Sequence, residues 1–171
     1  MLLFVVRHAK AHDRGEDWPD DSQRPLTDGG IRKFSRLARA IGRKFEAPEV
    51  VLASGYVRAW QTARLLEDEG DWPTPERASW LECDETEPIV AAREALAACT
   101  RESIALVGHE PMLSELISEF MGCHGPGVAM AKGAIAVLDV RDPAALGEVE
   151  SFPGSAAELL CLVDPRMIAR D

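Results

Sequence analysis

The apolar positions of the chain form short runs that alternate with longer amphipathic segments. The first run, Leu2–Val6, consists of five apolar residues and leads directly into Arg7 and His8. A run of this length and composition predicts a strand that is buried on both faces of a parallel sheet. The stretch Ala156–Val163 is ambiguous. Other short apolar runs predict strands at Val50–Ala53, Ala78–Leu81, Ser103–Val107, Ala134–Val140 and Glu148–Phe152.

Apolar residues at helical spacing predict four helices between these strands. Thr27 suits the N-cap of the first helix, Asp28 favours its first turn, and Pro48 ends it. The alternation of strands and helices predicts a three-layer α/β/α sandwich with a mostly parallel central sheet. Because no helix is predicted between the last strands, we expect an antiparallel edge strand. The other helices are predicted at Val57–Glu67, at Thr86–Ala98, and from Pro111 until Gly122 ends the segment.

Length and charge restrict the class of protein. The 171 residues suffice for one domain with a sizeable core, and we expect residues 1–171 to form it. The net charge of -10 argues against nucleic acid or an anionic membrane as a partner. No apolar stretch is long enough to cross a bilayer or to act as a secretion signal, so we expect a cytoplasmic protein. In so acidic a chain, a phosphate site has to be a local basic pocket.

The cysteines are scattered along the chain and form no CxxC pair. We therefore expect reduced, mostly buried thiols rather than a disulfide framework or a zinc site. No carboxylate cluster has the spacing of a metal site. The four cysteines are Cys83, Cys99, Cys123 and Cys161.

Polar side chains follow three of the predicted strands. Arg7 and His8 end the first strand, Arg58 lies in the first helical turn after the second, and His109 follows the strand Ser103–Val107. In a parallel sheet these positions open onto one edge, where ligands bind. Arginine matches phosphate oxygens with a planar fork of donors, and a neutral imidazole can attack phosphorus. Each residue alone could be a solvated polar residue, but together they predict a phosphoryl-transfer site.

Several motifs resemble the histidine phosphatase superfamily, which is also called phosphoglycerate mutase-like. VVRHAKA is similar to its Arg-His-Gly signature, with Ala9 in place of the glycine, and the short length resembles its SixA-type branch of protein phosphohistidine phosphatases. The similar segments occur in the order of the family and cover most of the chain. They are Val5–Ala11, Arg24–Gly30, Ser54–Ala63, Val107–Pro111 and Met130–Leu138.

This resemblance implies a role for each residue of the predicted site. His8 would be the nucleophile and become phosphohistidine, while Arg7, Arg58 and His109 would hold the phosphoryl oxygens. Water would then hydrolyse the phosphoenzyme without a metal ion or cofactor. Because His8 must be neutral to attack, we expect an acid limb in the pH–rate profile.

The polar segment Ala11–Pro25 is predicted to be a loop, and the sequence leaves open whether Asp13–Pro25 covers the site. By the resemblance, Arg24 and Thr27 line the rim, with Arg24 as a further phosphate-binding residue. Loop anchoring and helix capping explain the same two residues without any role in binding.

The general acid is the uncertain part of the resemblance. Many members of the family place a carboxyl group in an insertion after the third strand, and that insertion is absent here. Glu82 is the candidate acid, with Asp84 and Glu85 beside it, but these residues fit a solvated strand end and helix start equally well. Imidazole, whose conjugate acid has a pKa of about 6.5, leaves far more easily than an alkoxide. A site without a strong acid therefore favours phosphohistidine over alkyl phosphates.

Three functions remain open from the sequence. The first is a phosphatase that acts on a phosphohistidine-bearing protein, for example a phosphorelay domain. The second is a small-molecule phosphatase or sugar-phosphate mutase of the same superfamily, and the third is a phosphate-binding module without activity. The substrate is accordingly either a phosphorylated protein or a small phosphomonoester, and the oligomeric state is not determined by the sequence.

Overall fold

The computed structural model describes residues 1–123, 127–147 and 155–168, and these contain a six-stranded sheet. The strands are β1 (Leu2–Arg7), β2 (Val50–Ala53), β3 (Glu76–Arg77), β4 (Ser103–Gly108), β5 (Ile135–Val140) and β6 (Ala157–Val163). Their order across the sheet is β3-β2-β4-β1-β5-β6. The first four strands pair in parallel, whereas β5 is antiparallel to both β1 and β6. The mostly parallel sheet with an antiparallel edge is thus confirmed.

Both faces of the sheet are covered, which explains why the central strands are continuously apolar. Successive side chains of a strand point to opposite faces. Along β1, Leu3 and Val5 belong to one buried cluster, and Phe4 and Val6 belong to the other. All four side chains are fully buried.

In the part of the chain that the structure describes, four helices form the outer layers, and this confirms the three-layer sandwich. They are α1 (Asp28–Lys44), α2 (Val57–Gly70), α3 (Pro88–Ala97) and α4 (Met112–Phe120). The buried faces of α1 and α2 pack on one side of the sheet, and those of α3 and α4 pack on the other. Thr27 caps α1 as predicted, because its hydroxyl accepts a hydrogen bond from the Gly30 backbone N–H at 3.0 Å. The helix α2 continues past Glu67 until Asp71 adopts a left-handed backbone (φ 56°).

The third strand lies earlier in the chain than predicted. In this strand, Glu76 and Arg77 are the residues that pair with β2. The predicted strand Ala78–Leu81 is wrong, since Ser79–Leu81 forms a 3-10 helix. The Ala78 N–H still donates to the carbonyl of Ala53, but the Leu81 N–H turns back to Ala78. A short apolar run does not separate a strand from a buried turn, and here Leu81 packs into the core from the turn.

The C-terminal region resolves one ambiguity. The stretch Ala156–Val163 contains the edge strand β6, which pairs with β5. The strand predicted at Glu148–Phe152 lies outside the described residues.

The cysteines are less buried than expected. All four carry free thiols, but Cys83 and Cys123 are exposed, and Cys99 and Cys161 are partly exposed. The expectation of mostly buried thiols is therefore wrong. Cys161 lies on β6, the last strand in the order of the described sheet.

Within the described part of the chain, no helix is both long enough and apolar enough to cross a membrane.

Candidate active site

The parallel register brings the predicted residues to one edge of the sheet. Arg7 of β1 pairs with Gly108 of β4, and Ala53 of β2 lies beside Val107. The residues that follow these strands are therefore neighbours, and Arg58 joins them from the first turn of α2. Arg7, His8, Arg58 and His109 line a common cavity of about 380 Å³, which we call the phosphoryl pocket.

His8 is held with one ring nitrogen free. Its backbone N–H donates to the carbonyl of Gly108 at 3.0 Å, and the residue is only 7% exposed. Nδ1 lies 2.8 Å from the carbonyl oxygen of Ala9. Because a carbonyl can only accept, Nδ1 carries the proton and Nε2 keeps its lone pair. Burial lowers the pKa of His8 to about 3, and the positive charges of Arg58 and Arg7 act in the same direction. The imidazole is therefore neutral at pH 7.

His109 lies against His8, with 5.1 Å between the ring centroids. Nε2 is 2.9 Å from the hydroxyl oxygen of Ser54, which is completely buried and fixes the plane of the ring. Burial, together with the proximity of His8 and Arg58, lowers the pKa of His109 to about 2. Nδ1 is buried and has no hydrogen-bond partner among the described residues, which leaves it available to a ligand.

Arg7 reaches the pocket from the end of β1. One terminal nitrogen donates to the backbone carbonyl of Met130 at 2.5 Å, while Nε has no partner among the described residues. Burial lowers the pKa of Arg7, and the nearby carboxylate of Glu110 opposes this shift. An arginine keeps its charge at neutral pH even so. Arg7 therefore presents a fixed positive charge to the pocket.

Arg58 is buried (1% exposed) and is held by Asp21. One terminal nitrogen donates to the Asp21 backbone carbonyl at 2.7 Å, and the other is 3.0 Å from its carboxylate. The second carboxylate oxygen accepts a hydrogen bond from Nε of Arg24 at 2.8 Å. Burial disfavours ionisation of Asp21, but the hydrogen bond from Arg24 and the charges of both arginines outweigh it and lower its pKa. One carboxylate thus positions both arginines.

The charges that line the phosphoryl pocket suit a polyanion. Five cationic side chains face two carboxylates there, although the chain as a whole carries a net charge of -10. Preorganised positive charge of this kind stabilises a transferring phosphoryl group. The cationic residues are Arg7, Arg14, Arg24, Arg58 and Lys132, and the carboxylates are Asp13 and Glu110.

Glu82, the candidate general acid, does not line this pocket. Its carboxylate accepts hydrogen bonds from Nε of Arg77 at 2.7 Å and from the Gly55 backbone N–H at 3.2 Å. The hydrogen bond from Arg77 lowers the pKa of Glu82, and the bond from Gly55 adds to this effect. A carboxyl group that is ion-paired and ionised is poorly suited to donate a proton, so the structure speaks against this role for Glu82.

Arg24 does reach the pocket, whereas Thr27 is engaged in capping α1. The loop that precedes α1 lines the pocket at both its ends, through His12, Asp13 and Arg14 on one side and Arg24 on the other.

Sequence reasoning missed several residues that line or support the site. Ser54, Glu110 and Lys132 lie inside the motif segments but were assigned no role. The motifs provide no signal for Asp21, because Asp13, Asp17 and Asp20 lie in the same loop and are of the same type.

Burial raises the pKa of Glu110, although the hydrogen bond with Ser114 and the charge of Arg7 act in the opposite direction.

In the described ranges, no group of three or more His, Cys, Asp and Glu side chains is arranged to hold a metal ion.

Comparisons with known proteins identify the family of the chain. The family model of the histidine phosphatase superfamily (branch 1) matches residues 3–88, which include Arg7, His8 and Arg58. The phosphohistidine phosphatase SixA of Escherichia coli K12 is 33% identical to the chain over 125 residues, which cover 70% of this chain and 73% of that protein.

Solved structures extend the similarity to nearly the whole chain. A structure of the protein histidine phosphatase SixA complexed with tungstate has a TM-score of 0.77 and 25% identity, and the match covers 97% of this chain and 98% of that one. A putative alpha-ribazole-5'-P phosphatase from Escherichia coli has a TM-score of 0.71 and 17% identity, with 96% and 98% of the chains covered. The second likeness shows the fold alone.

Proposed function

The chain belongs to the histidine phosphatase superfamily, in its SixA-type branch, and from this we propose that it removes the phosphoryl group from a phosphohistidine on a protein. The proposal rests on one arrangement of atoms. Nε2 of His8 is unprotonated in a buried pocket, beside His109, and Arg7 and Arg58 line the same pocket. A neutral, oriented imidazole surrounded by fixed positive charge is suited to attack phosphorus and to carry the phosphoryl group.

In the first step, Nε2 of His8 attacks the phosphorus atom and forms a P–N bond. The bond between phosphorus and the substrate imidazole breaks, its electron pair stays on the substrate nitrogen, and that nitrogen takes a proton from solvent. Arg7, Arg58 and His109 offer donors to the three oxygens as charge shifts across the phosphoryl group. Because these arginines supply the positive charge, we propose that no metal ion takes part.

In the second step, a water oxygen attacks phosphorus and the P–N bond to His8 breaks. The electron pair returns to Nε2, a proton of the water is released, and inorganic phosphate leaves. The hydrogen bond from Nδ1 to Ala9 holds the same tautomer of His8 through both steps.

The absence of Glu82 from the pocket supports phosphohistidine over alkyl phosphates. Imidazole leaves without strong assistance by an acid, whereas an alkoxide needs a proton. The carboxyl groups that do line the pocket are Asp13 and Glu110.

A paired turnover assay tests the proposed function. One substrate is a phosphohistidine-bearing phosphotransfer protein, and the others are sugar and aryl phosphates, each assayed in the presence of EDTA. We expect turnover of the phosphoprotein alone. Efficient cleavage of the sugar phosphates would instead establish a small-molecule phosphomonoesterase, and Glu110→Gln would then identify the acid. If the wild-type protein cleaves neither class, the proposal is wrong and a phosphate-binding role replaces it.

A further inference from the structure

The chain contains only four lysines, Lys10, Lys33, Lys44 and Lys132, and three of them line one cavity. This cavity of about 380 Å³ lies between the start of α1, the end of β1 and the segment that precedes β5. Lys10, Lys33 and Lys132 reach it from these three elements, and we call it the lysine cavity. Three lysines from distant parts of the chain are thus gathered at one place.

Among the described residues, the three ammonium groups have no carboxylate partner. None of them forms an ion pair or a side-chain hydrogen bond with another described residue. The one carboxylate that lines the cavity, Asp164, is already paired with Arg166, whose Nε lies 3.0 and 2.9 Å from its two oxygens. The chain has 29 acidic residues, and many of its arginines form ion pairs with carboxylates, whereas these three lysines form none with the described residues.

The lysine cavity lies beside the phosphoryl pocket. Lys132 lines both, and Ala9 and Lys10 of the lysine cavity directly follow His8. A ligand whose phosphoryl group lies next to His8 can therefore place a neighbouring anionic group in the lysine cavity. Phe34 and Pro165 also line the lysine cavity, and Arg166, its other cationic residue, is paired with Asp164.

We propose that the lysine cavity binds carboxylate side chains that flank the phosphohistidine of the protein substrate. This inference rests on the proposed function and adds the substrate's charge pattern to it. A protein with net charge -10 repels an acidic partner at long range, so a local cluster of unpaired lysines supplies attraction only where the partner is correctly oriented. The site thereby selects acidic sequences around the phosphohistidine.

Charge reversal at Lys33 tests this inference, with Lys44→Glu as the matched control. Both lysines are exposed residues of α1, but Lys44 lies at the other end of the helix and outside the cavity. The substrates are two phosphohistidine peptides of equal length, one with Asp and Glu beside the phosphohistidine and one with Asn and Gln, and phosphoimidazole as the small substrate.

We expect Lys33→Glu to raise KM for the acidic peptide about tenfold, because one attraction is lost and one repulsion is gained. The neutral peptide and phosphoimidazole should keep their KM, and Lys44→Glu should leave all three substrates unchanged. The preference for the acidic peptide should shrink as salt is raised from 0.05 to 0.5 M, because salt screens exposed charges. The screening (Debye) length is about 10 Å at 0.1 M and becomes shorter as the salt concentration rises. Equal treatment of the two peptides by the wild-type protein would overturn the inference.

A binding measurement separates this inference from the proposed function. Fluorescence anisotropy with the unphosphorylated acidic peptide needs no turnover, and we expect Lys33→Glu to weaken binding while Lys44→Glu does not. If phosphohistidine turnover fails but this binding difference remains, only the proposed function is wrong. If turnover holds but the difference is absent, or if Lys33 affects only a small anion such as pyrophosphate, the acidic substrate segment is wrong.

Discussion

The phosphoryl pocket has a floor and a rim that differ in how they are built. The floor consists of Arg7, His8, Arg58 and His109, each at the end of a central strand or in the first turn of a helix. The rim comes from loops, and its members are Asp13, Arg14, Arg24, Glu110 and Lys132. The floor is positioned by the register of the sheet, whereas the rim is positioned by ion pairs and loop contacts. We therefore expect the floor to determine the chemistry and the rim to determine the substrate.

The largest effect is expected from the floor. His8→Gln keeps a hydrogen-bonding side chain of similar size but removes the nucleophile. We expect kcat on a phosphohistidine protein to fall by about 10⁴-fold or more, because loss of a nucleophile leaves only the binding contribution to catalysis. Steady-state assays with purified protein measure this. Retention of more than a few per cent of the activity would show that floor and rim are not divided as described.

A smaller effect is expected from the carboxylate that joins floor and rim. Asp21→Asn removes the charge that holds Arg58 and Arg24, and we expect kcat/KM to fall about tenfold to hundredfold as the arginines lose their fixed positions. Asp17→Asn, an exposed aspartate of the same loop, is the control and should have little effect. If both variants behave alike, loop charge in general rather than positioning by Asp21 is responsible.

The buried histidines of the floor also predict a dependence of stability on pH. His8 and His109 have pKa values of about 3 and about 2 when folded, against an ordinary value of 6.5, so the unfolded chain binds more protons below pH 6.5. The stabilisation that comes from keeping these two histidines neutral is fully present above pH 6.5 and is lost progressively as the pH falls toward 3.

Urea unfolding at pH 7 and pH 5 measures this effect. We expect each of the two histidines to lower the free energy of unfolding by about 2 kcal/mol over this interval. His8→Gln should remove about half of their joint loss, whereas His12→Gln, at an exposed histidine, should not reduce it. The same low pKa moves the acid limb of the pH–rate profile that is due to His8 to about pH 3. If the free energy of unfolding depends on pH identically in wild type and His8→Gln, the pKa of His8 is not lowered in the folded protein.

The smallest effect is expected from Glu82, which lies outside the pocket. Glu82→Gln breaks the pair with the exposed Arg77, and we expect a change of less than about 1 kcal/mol in the free energy of unfolding. Turnover of phosphohistidine by Glu82→Gln should change less than about threefold. Arg77→Gln, which removes the other partner of the same ion pair, is the matched control and should behave alike. A large loss of kcat in Glu82→Gln alone would restore Glu82 as an acid.

The difference between floor and rim also explains what could be predicted from the sequence. Arg7 and His8 come directly after an apolar run whose length and composition predict a buried strand, and the parallel sheet then places His109 and Arg58 beside them. Asp21 could not be distinguished from the other aspartates of its loop, because its partners are brought to it only by the fold. The position of Glu82 depends on a 3-10 helix where a strand was expected, so its side chain points toward Arg77 and Gly55.

The loop before β5 shows the same limit. Gly133 adopts a left-handed backbone (φ 80°), and its N–H donates to the carbonyl of His8 at 2.9 Å. This contact brings Lys132 to the pocket rim. A glycine in the sequence suggests such a turn, but the element against which the turn packs is not encoded locally.

Direct identification of the phosphorylated residue tests the central claim. Rapid acid-free quenching after mixing the protein with a ³²P-labelled phosphohistidine substrate, followed by peptide mapping, locates the transferred label. The account predicts one label on His8, stable in alkali and lost in acid as expected for a P–N bond, and absent in His8→Gln. A label on any other residue, or release of phosphate by wild type with no labelled protein at any time, would contradict it.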